Sequence, residues 1–429
     1  MLSKPILIIT YYWPPSGGSG VQRWLYFSKY LKILGYSPIV LTIDIESASY
    51  PSSDKSLIKE ADGIPVHYVK SLNWIKIYSF LKNSKTRNEI PQGEFSKKGL
   101  LDYFASFIRG NFFIPDARVS WVKPGTLKAL KIINDNKIDK IITSGPPHST
   151  HMIGLNLKSK LNIKWIADFR DPWTDMIYLK SFFRLPFSKK KDSMLEKKVL
   201  SNADSILTTT SENFHQELQS RISVKQKFFK IYNGFDSSSF NKIEKKINKE
   251  FKIIFTGLLT KNHSYRSIIN SLIKFKKLYP EIKLKIIFAG SISNEIIKEF
   301  KQVIKIEYLG HIDHSNAVDL MHQGNILINF LFDENKKSTM ISGKIIEYMA
   351  TGNPILMVGD NEGEAAKLLS KQSYNLTVRP DQTNLIISFI KKNYDDWSKG
   401  KKIKGEFDLI SSYSRKESTK KLIKIIENL

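Results

Sequence analysis

The chain has 429 residues, 41% of them hydrophobic, no cysteine, and a formal net charge of +26 from 67 basic and 41 acidic groups. That length suggests two domains with ample core. The missing cysteine excludes disulfides and thiolate metal sites, which fits the cytosol. The excess charge is mostly lysine and runs along the whole chain. It points to an anionic contact (nucleic acid, acidic lipid or a phosphorylated substrate) or simply to solvated faces.

Residues 6–10 read as a buried strand, too short a run for a signal peptide, and no apolar run approaches the ~18 residues of a membrane span. A loop with Pro14, Pro15, Gly17, Gly18 and Gly20 follows, then a helix over 21–34 closed by Gly35, then a strand over 37–43. Strand, glycine loop, helix, strand opens a parallel doubly wound sheet and places a ligand such as a diphosphate against the helix start. Arg23 stands where the dinucleotide fingerprint would need its last glycine, so that fingerprint is absent. A tight turn without a ligand is the alternative.

Residues 73–122 mix aromatic and basic side chains, among them Trp74, Tyr103, Phe104, Phe107, Arg109, Phe112 and Phe113, and show no clean strand. The stretch reads as one or two helices packed on the sheet, or as a basic amphipathic surface for a membrane. Strands over 138–143 and 164–169 end in loops dense with polar groups, the first holding His148 and His151, the second Asp168, Arg170 and Asp171. Sheets of this class hold ligands at such strand ends. Strands are expected again at 204–210 and 230–233. A Ser, Asn and Lys-rich linker at 237–250 follows, and the alternation then restarts at 252–255, 283–289, 306–309, 326–330, 355–358 and 375–378. Residues 413–429 form a final amphipathic helix.

The most informative stretch is Ser342-Gly-Lys-Ile-Ile-Glu-Tyr-Met-Ala-Thr-Gly-Asn-Pro-Ile-Leu356. Gly352 supplies a left-handed cap and Pro354 ends the helix. The helix start, with Gly343, Lys344 and Glu347 one turn in, suits a phosphate at its N–H groups and a sugar hydroxyl at its carboxylate. An ordinary helix with a solvated Lys and Glu is the plain alternative.

These residues resemble the donor-site helix of the GT-B glycosyltransferases of family 4. The resemblance extends over residues 11–34, 115–121, 143–174, 233–236, 255–261, 308–311 and 343–354. It implies two Rossmann-like domains facing across a cleft. An N-terminal acceptor-side domain takes residues 1–236 with 413–429 packing back on it, and a donor domain takes 251–412. It also implies retaining transfer of a sugar from a nucleoside-diphosphate donor to a glycan or lipid-linked acceptor, in cell-surface polysaccharide synthesis, at the cytoplasmic face of a membrane. No cofactor and no metal are expected, and nucleic acid is not expected as a partner.

In the family the second of two glutamates holds the ribose. Glu347 matches it, while Thr339 stands in place of the first. Lys261 lies close to the family's diphosphate lysine, with Arg266 slightly further on and Leu258 at the usual arginine position. Arg170 stands where many members carry a histidine near the reacting sugar. Asp168 and Asp171 then bind sugar hydroxyls, orient Arg170 or form a structural pair with it. His148 and His151 are acceptor-side candidates. A sugar-nucleotide epimerase of similar fold and a basic nucleic-acid-binding protein are the competing readings.

Overall fold

The computed structural model describes residues 4–50, 53–74, 100–176, 179, 182–210, 212–240, 249–331, 341, 343–401 and 410–429, with the backbone alone at 100–102. Two compact units form: unit 1 is Met1–Tyr232 with Ser418–Leu429, and unit 2 is Asn233–Glu417. The expected linker at 237–250 is described only at its ends, and both ends belong to unit 2.

Unit 1 carries β1 (Lys4–Thr10), β2 (Tyr36–Ile43), β3 (Val66–Val69), β4 (Lys140–Gly145), β5 (Lys164–Phe169), β6 (Ser205–Thr208) and β7 (Phe228–Lys230). They form one sheet in the order β3-β2-β1-β4-β5-β6-β7, with every pairing parallel. Successive side chains leave opposite faces of a strand. Leu7 and Ile9 therefore enter one core with Ile141, Trp165 and Phe169, while Ile6 and Ile8 enter another with Ile142 and Ile166. Both faces are covered, so the strands are apolar throughout.

The second of these cores also holds Val21, Trp24, Leu25 and Phe27 of the Ser19–Ile33 helix and Leu422, Ile425 and Ile426 of the Arg415–Glu427 helix. Sharing this core with the sheet and with the end of the chain, the Ser19–Ile33 helix is buried on most sides, not on one face. Each fully buried Leu or Ile adds about 1.5–3 kcal/mol.

Unit 2 carries β8 (Phe251–Thr256), β9 (Leu284–Ala289), β10 (Ile306–Tyr308), β11 (Ile326–Phe330), β12 (Ile355–Val358) and β13 (Leu376–Val378). Their order is β10-β9-β8-β11-β12-β13, again all parallel. In each unit the order reverses beside the first strand, between β1 and β4 and between β8 and β11. Ligands of doubly wound sheets bind at such switch points.

Candidate functional site

In unit 2 the site is built around the Gly343–Thr351 helix. Gly352, at φ 65, closes it in the left-handed conformation that its sequence predicts. Tyr348 locks the helix to the end of β8, its buried hydroxyl accepting from the Thr256 amide at 2.8 Å. One turn earlier the Lys344 ammonium lies 4.2 Å from the centre of the Phe255 ring. Gly257 leaves the room for it: at φ +116, an added Cβ would sit 2.9 Å from Nζ. Among the described residues no carboxylate pairs with Lys344, and burial pulls its pKa down to about 7. Burial, and next the Lys344 charge, hold His263 at about 4.

Glu347 is 9% exposed. Its Oε1 accepts from His314 Nε2 at 2.9 Å and from Arg415 Nη2 at 3.4 Å. A carboxylate oxygen can only accept here, so His314 Nε2 carries the proton. Burial alone would raise the Glu347 pKa, but the charge and hydrogen bond of His314 and the charge of Arg415 outweigh it and hold the carboxyl below its ordinary range. No bond to Oε2 forms among the described residues. Arg415 is itself fixed by Nε to the Gly234 carbonyl at 3.1 Å and by its amide to the Phe235 carbonyl at 2.9 Å.

Lys261 and Arg266 do not join this group. They are 53% and 72% exposed and face carboxylates of the Asn294–Lys301 helix, Lys261 on Glu295 and Arg266 on Glu299 at 3.3 Å. Lys261, the diphosphate cation that the resemblance suggests, is a solvated ion pair, whereas Lys344 is half-buried at the helix start. Thr339 lies outside the described residues.

In unit 1, Asp168 lies one residue before the end of β5, fully buried. It accepts from Arg23 Nε (3.2 Å) and Nη2 (2.9 Å), from Trp24 Nε1 (2.7 Å) and from Ser144 Oγ (2.9 Å). Three of these donors meet Oδ2 and one meets Oδ1, and no part of the side chain is exposed. Asp168 thus anchors the Ser19–Ile33 helix to the sheet and is not open to a sugar hydroxyl. Arg23, legible in sequence only as a missing glycine, supplies half of that anchor.

Arg170 lies differently. Its Nε donates to the Gly145 carbonyl at 3.2 Å and its Nη2 to the Pro146 carbonyl, and its Nη1 occupies the space that a Gly20 Cβ would need. The guanidinium therefore rests on the start of the Ser19–Ile33 helix, whose N-cap is Gly18 and whose first turn holds no acidic residue. The helix start and the guanidinium are two positive features that suit an anion, with Asp171 and Asp168 as the nearby negative charges. Asp171 is half-buried and makes no hydrogen bond among the described residues. Burial raises its pKa, and Arg170 counteracts that.

His148 and His151 are 3% and 0% exposed, and so are closed to an acceptor in this structure. They are not exposed loop residues, because a helix begins at Ser149 and folds them inward. His148 stacks on Trp173 and His151 on Phe169, and burial lowers both pKa values, that of His148 to about 3. Asp116 caps that helix, accepting from the Ser149 amide at 2.8 Å and hydroxyl at 2.9 Å.

Among the described residues no three His, Cys, Asp or Glu side chains gather as metal ligands, and no helix is long and apolar enough to cross a membrane. No protein-family model matches the chain, and no curated protein matches it in sequence. Solved structures do. A glycosyltransferase from Rickettsia africae superposes with a TM-score of 0.61 at 15% identity, covering 100% of this chain and 99% of the other. HepE of Anabaena in complex with UDP-glucose gives 0.61 at 11% identity, covering 99% and 100%. A Listeria monocytogenes protein assigned as a UDP-N-acetylglucosamine 2-epimerase gives 0.53 at 9%, covering 99% and 96%. With its two parallel sheets of seven and six strands, the chain has the two-domain, Rossmann-like GT-B fold.

Proposed function

We propose that the protein is a retaining glycosyltransferase of the family 4 type. It moves a sugar from a nucleoside diphosphate to a glycan or lipid-linked acceptor in cell-surface polysaccharide synthesis. One observation carries the reading: the half-buried Lys344 ammonium, with no carboxylate against it among the described residues, stands at a helix start three residues before Glu347. A nucleoside diphosphate answers both features, with phosphate at the cation and ribose at the carboxylate. HepE, with UDP-glucose bound, supports a nucleotide-sugar donor.

As the bond from the anomeric carbon to the diphosphate oxygen lengthens, the sugar ring gains oxocarbenium character and the diphosphate gains negative charge. Lys344 and the first N–H groups of its helix meet that charge without rearranging. Glu347 Oε2 accepts from the ribose. In unit 1, Arg170 and the turn through Gly17, Gly18 and Gly20 offer a second seat for an anionic group, with the Asp171 carboxylate beside it for a sugar hydroxyl. Fixed side chains supply the positive charge that a metal would bring, so turnover is expected to continue in EDTA.

The acceptor side is read as membrane-facing, on the cytoplasmic surface. Tyr103, Phe104 and Phe112 of the Leu100–Phe112 helix are exposed, as are Phe183, Leu185 and Phe187. Asn111 joins the two segments, donating to the Phe183 carbonyl at 2.8 Å and accepting from the Leu185 amide at 2.7 Å. Lys189, Lys190 and Lys191 follow, all exposed. Aromatic rings with lysines behind them suit an anionic bilayer surface.

The test is calorimetry against UDP-, GDP- and dTDP-sugars, then product analysis with labelled donor sugar in EDTA. A donor bound by the wild type and lost in Lys344→Met, with label on an acceptor, is expected. Label recovered only as an epimerised sugar beside free nucleoside diphosphate would make the protein an epimerase and defeat the proposal.

A further inference from the structure

The Glu347 carboxylate is asymmetric. Oε1 has two lone-pair directions, and His314 Nε2 and Arg415 Nη2 take both. These donors come from different parts of the chain, one from the His314–His322 helix and one from the first residue of the Arg415–Glu427 helix. Each is held apart from Glu347 as well. The His314 helix runs from the Asp313 N-cap, and Arg415 is tied to the backbone at Gly234 and Phe235. Two donors from fixed points define the plane of the carboxylate. A glutamate on a helix otherwise turns freely about its last bonds. Oε2 is left with both of its lone pairs and no bond among the described residues.

We infer that His314 and Arg415 are positioning residues that fix the Glu347 carboxylate plane, so that Oε2 alone is presented to the vicinal hydroxyls of a donor ribose, and that this clamp sets the preference for ribonucleotides over deoxyribonucleotides. The inference rests on the proposed role of Glu347 and adds what orients it. Both clamping groups are donors, so the carboxylate stays ionised and acceptor-only, and a hydroxyl meets it without competition from a carboxyl proton. A hydrogen bond to a charged acceptor repays alignment more than one to a neutral amide does. Without the clamp the carboxylate rotates, and a 2′-hydroxyl loses its fixed partner while the diphosphate keeps Lys344.

The experiment measures Kd for UDP, GDP and ADP, each beside its 2′-deoxy form, in wild type, Arg415→Met, Arg415→Lys and His314→Leu. The wild type is expected to prefer the ribonucleotide by about tenfold or more, the effect of one hydrogen bond to a charged acceptor. Arg415→Met is expected to lower that preference to about threefold or less while binding the 2′-deoxy form as the wild type does. Arg415→Lys restores part of the preference, and His314→Leu lowers it in parallel. A variant that weakens both forms by the same factor shows a merely structural role and overturns the inference. If Arg415→Met fails to fold, His314→Leu decides alone by the same ratio. No preference in the wild type for any of the three pairs overturns the ribose reading of Glu347 itself, and with it the clamp. That failure is seen before any variant is made.

Discussion

Lys344 gives a prediction that pH alone can test. With a pKa of about 7 in the free protein, the side chain is half charged at pH 7 and about 1% charged at pH 9. A bound diphosphate requires the charged form, and its own second ionisation, near pH 6, is about nine-tenths complete at pH 7 and changes little above it. Affinity for UDP, or for whichever nucleoside diphosphate binds, therefore falls about 50-fold from pH 7 to pH 9, roughly 2.3 kcal/mol. Binding takes up about half a proton at pH 7 and nearly one at pH 8.5. Calorimetry in two buffers of different ionisation enthalpy reads that uptake directly. Lys344→Arg carries a charge at every pH used, so its profile is flat.

The free protein moves the other way. The unfolded lysine titrates at 10.5 and the folded one near 7, so the unfolded state binds more protons between these values. This residue's contribution to stability therefore rises from pH 7 to 10.5 while ligand affinity falls. A pH-independent Kd in the wild type, or binding without proton uptake at pH 8.5, would refute the placement of the diphosphate at Lys344.

Glu347→Gln leaves Arg415 buried without its counter-charge, so it is expected to cost roughly 3 kcal/mol of unliganded stability as well as donor affinity, read by urea melts beside calorimetry. The Glu347 carboxyl titrates below its ordinary range, so its share of stability is complete above about pH 4.5 and is lost as pH falls through the folded value; acid melts of wild type and Glu347→Gln should converge there. Asp168→Asn removes the charge facing Arg23 and is expected to cost about 3–5 kcal/mol, seen as an earlier loss of the fluorescence of buried Trp24. Gly20→Ala pushes Arg170 aside: activity should fall more than stability, because the helix gain of up to about 1 kcal/mol partly offsets the hydrogen bonds Arg170 loses, and unchanged activity would remove Arg170 from the site. Acidic liposomes should sediment the protein in a salt-sensitive way and neutral ones should not; Phe104→Ser with Phe187→Ser should abolish binding, whereas equal, salt-insensitive sedimentation with both lipids would refute the membrane surface.

Local pattern made much of the fold legible. Near-continuous apolar runs marked the central strands because both faces of each sheet are buried. Where one face is less covered the signal faded. β3, an edge strand of four residues with one buried, left no mark, and β7 forms at Phe228–Lys230, earlier than the expected 230–233. Site residues divided along the same line. Gly343, Lys344 and Glu347 share one helix turn, and their spacing announced them. The partners of Glu347 and Asp168 come from far along the chain: Arg415 is 68 residues from Glu347, and Arg23 is 145 from Asp168. Single-sequence periodicity holds no record of such pairings. The same limit hides the ion pair of Lys261 with Glu295 of a separate helix. It also misread His148 and His151, which look like loop residues until Trp173 and Phe169 close over them.

Unit 1 is built from both ends of the chain, and this sets an order of events during synthesis. Leu422, Ile425 and Ile426 line the same core as Ile6, Ile8 and Trp24, yet they are translated only after the whole of unit 2, Asn233–Glu417. At about 5–20 residues per second that interval lasts roughly 10–40 s. For that time the Ser19–Ile33 helix and its face of the sheet stand open to water. Unit 2 waits for the same helix, since Arg415 at its start holds Glu347 and the backbone at Gly234. A nascent chain of this protein therefore carries an apolar groove shaped for the Arg415–Glu427 helix and visible to any chaperone that binds apolar surface.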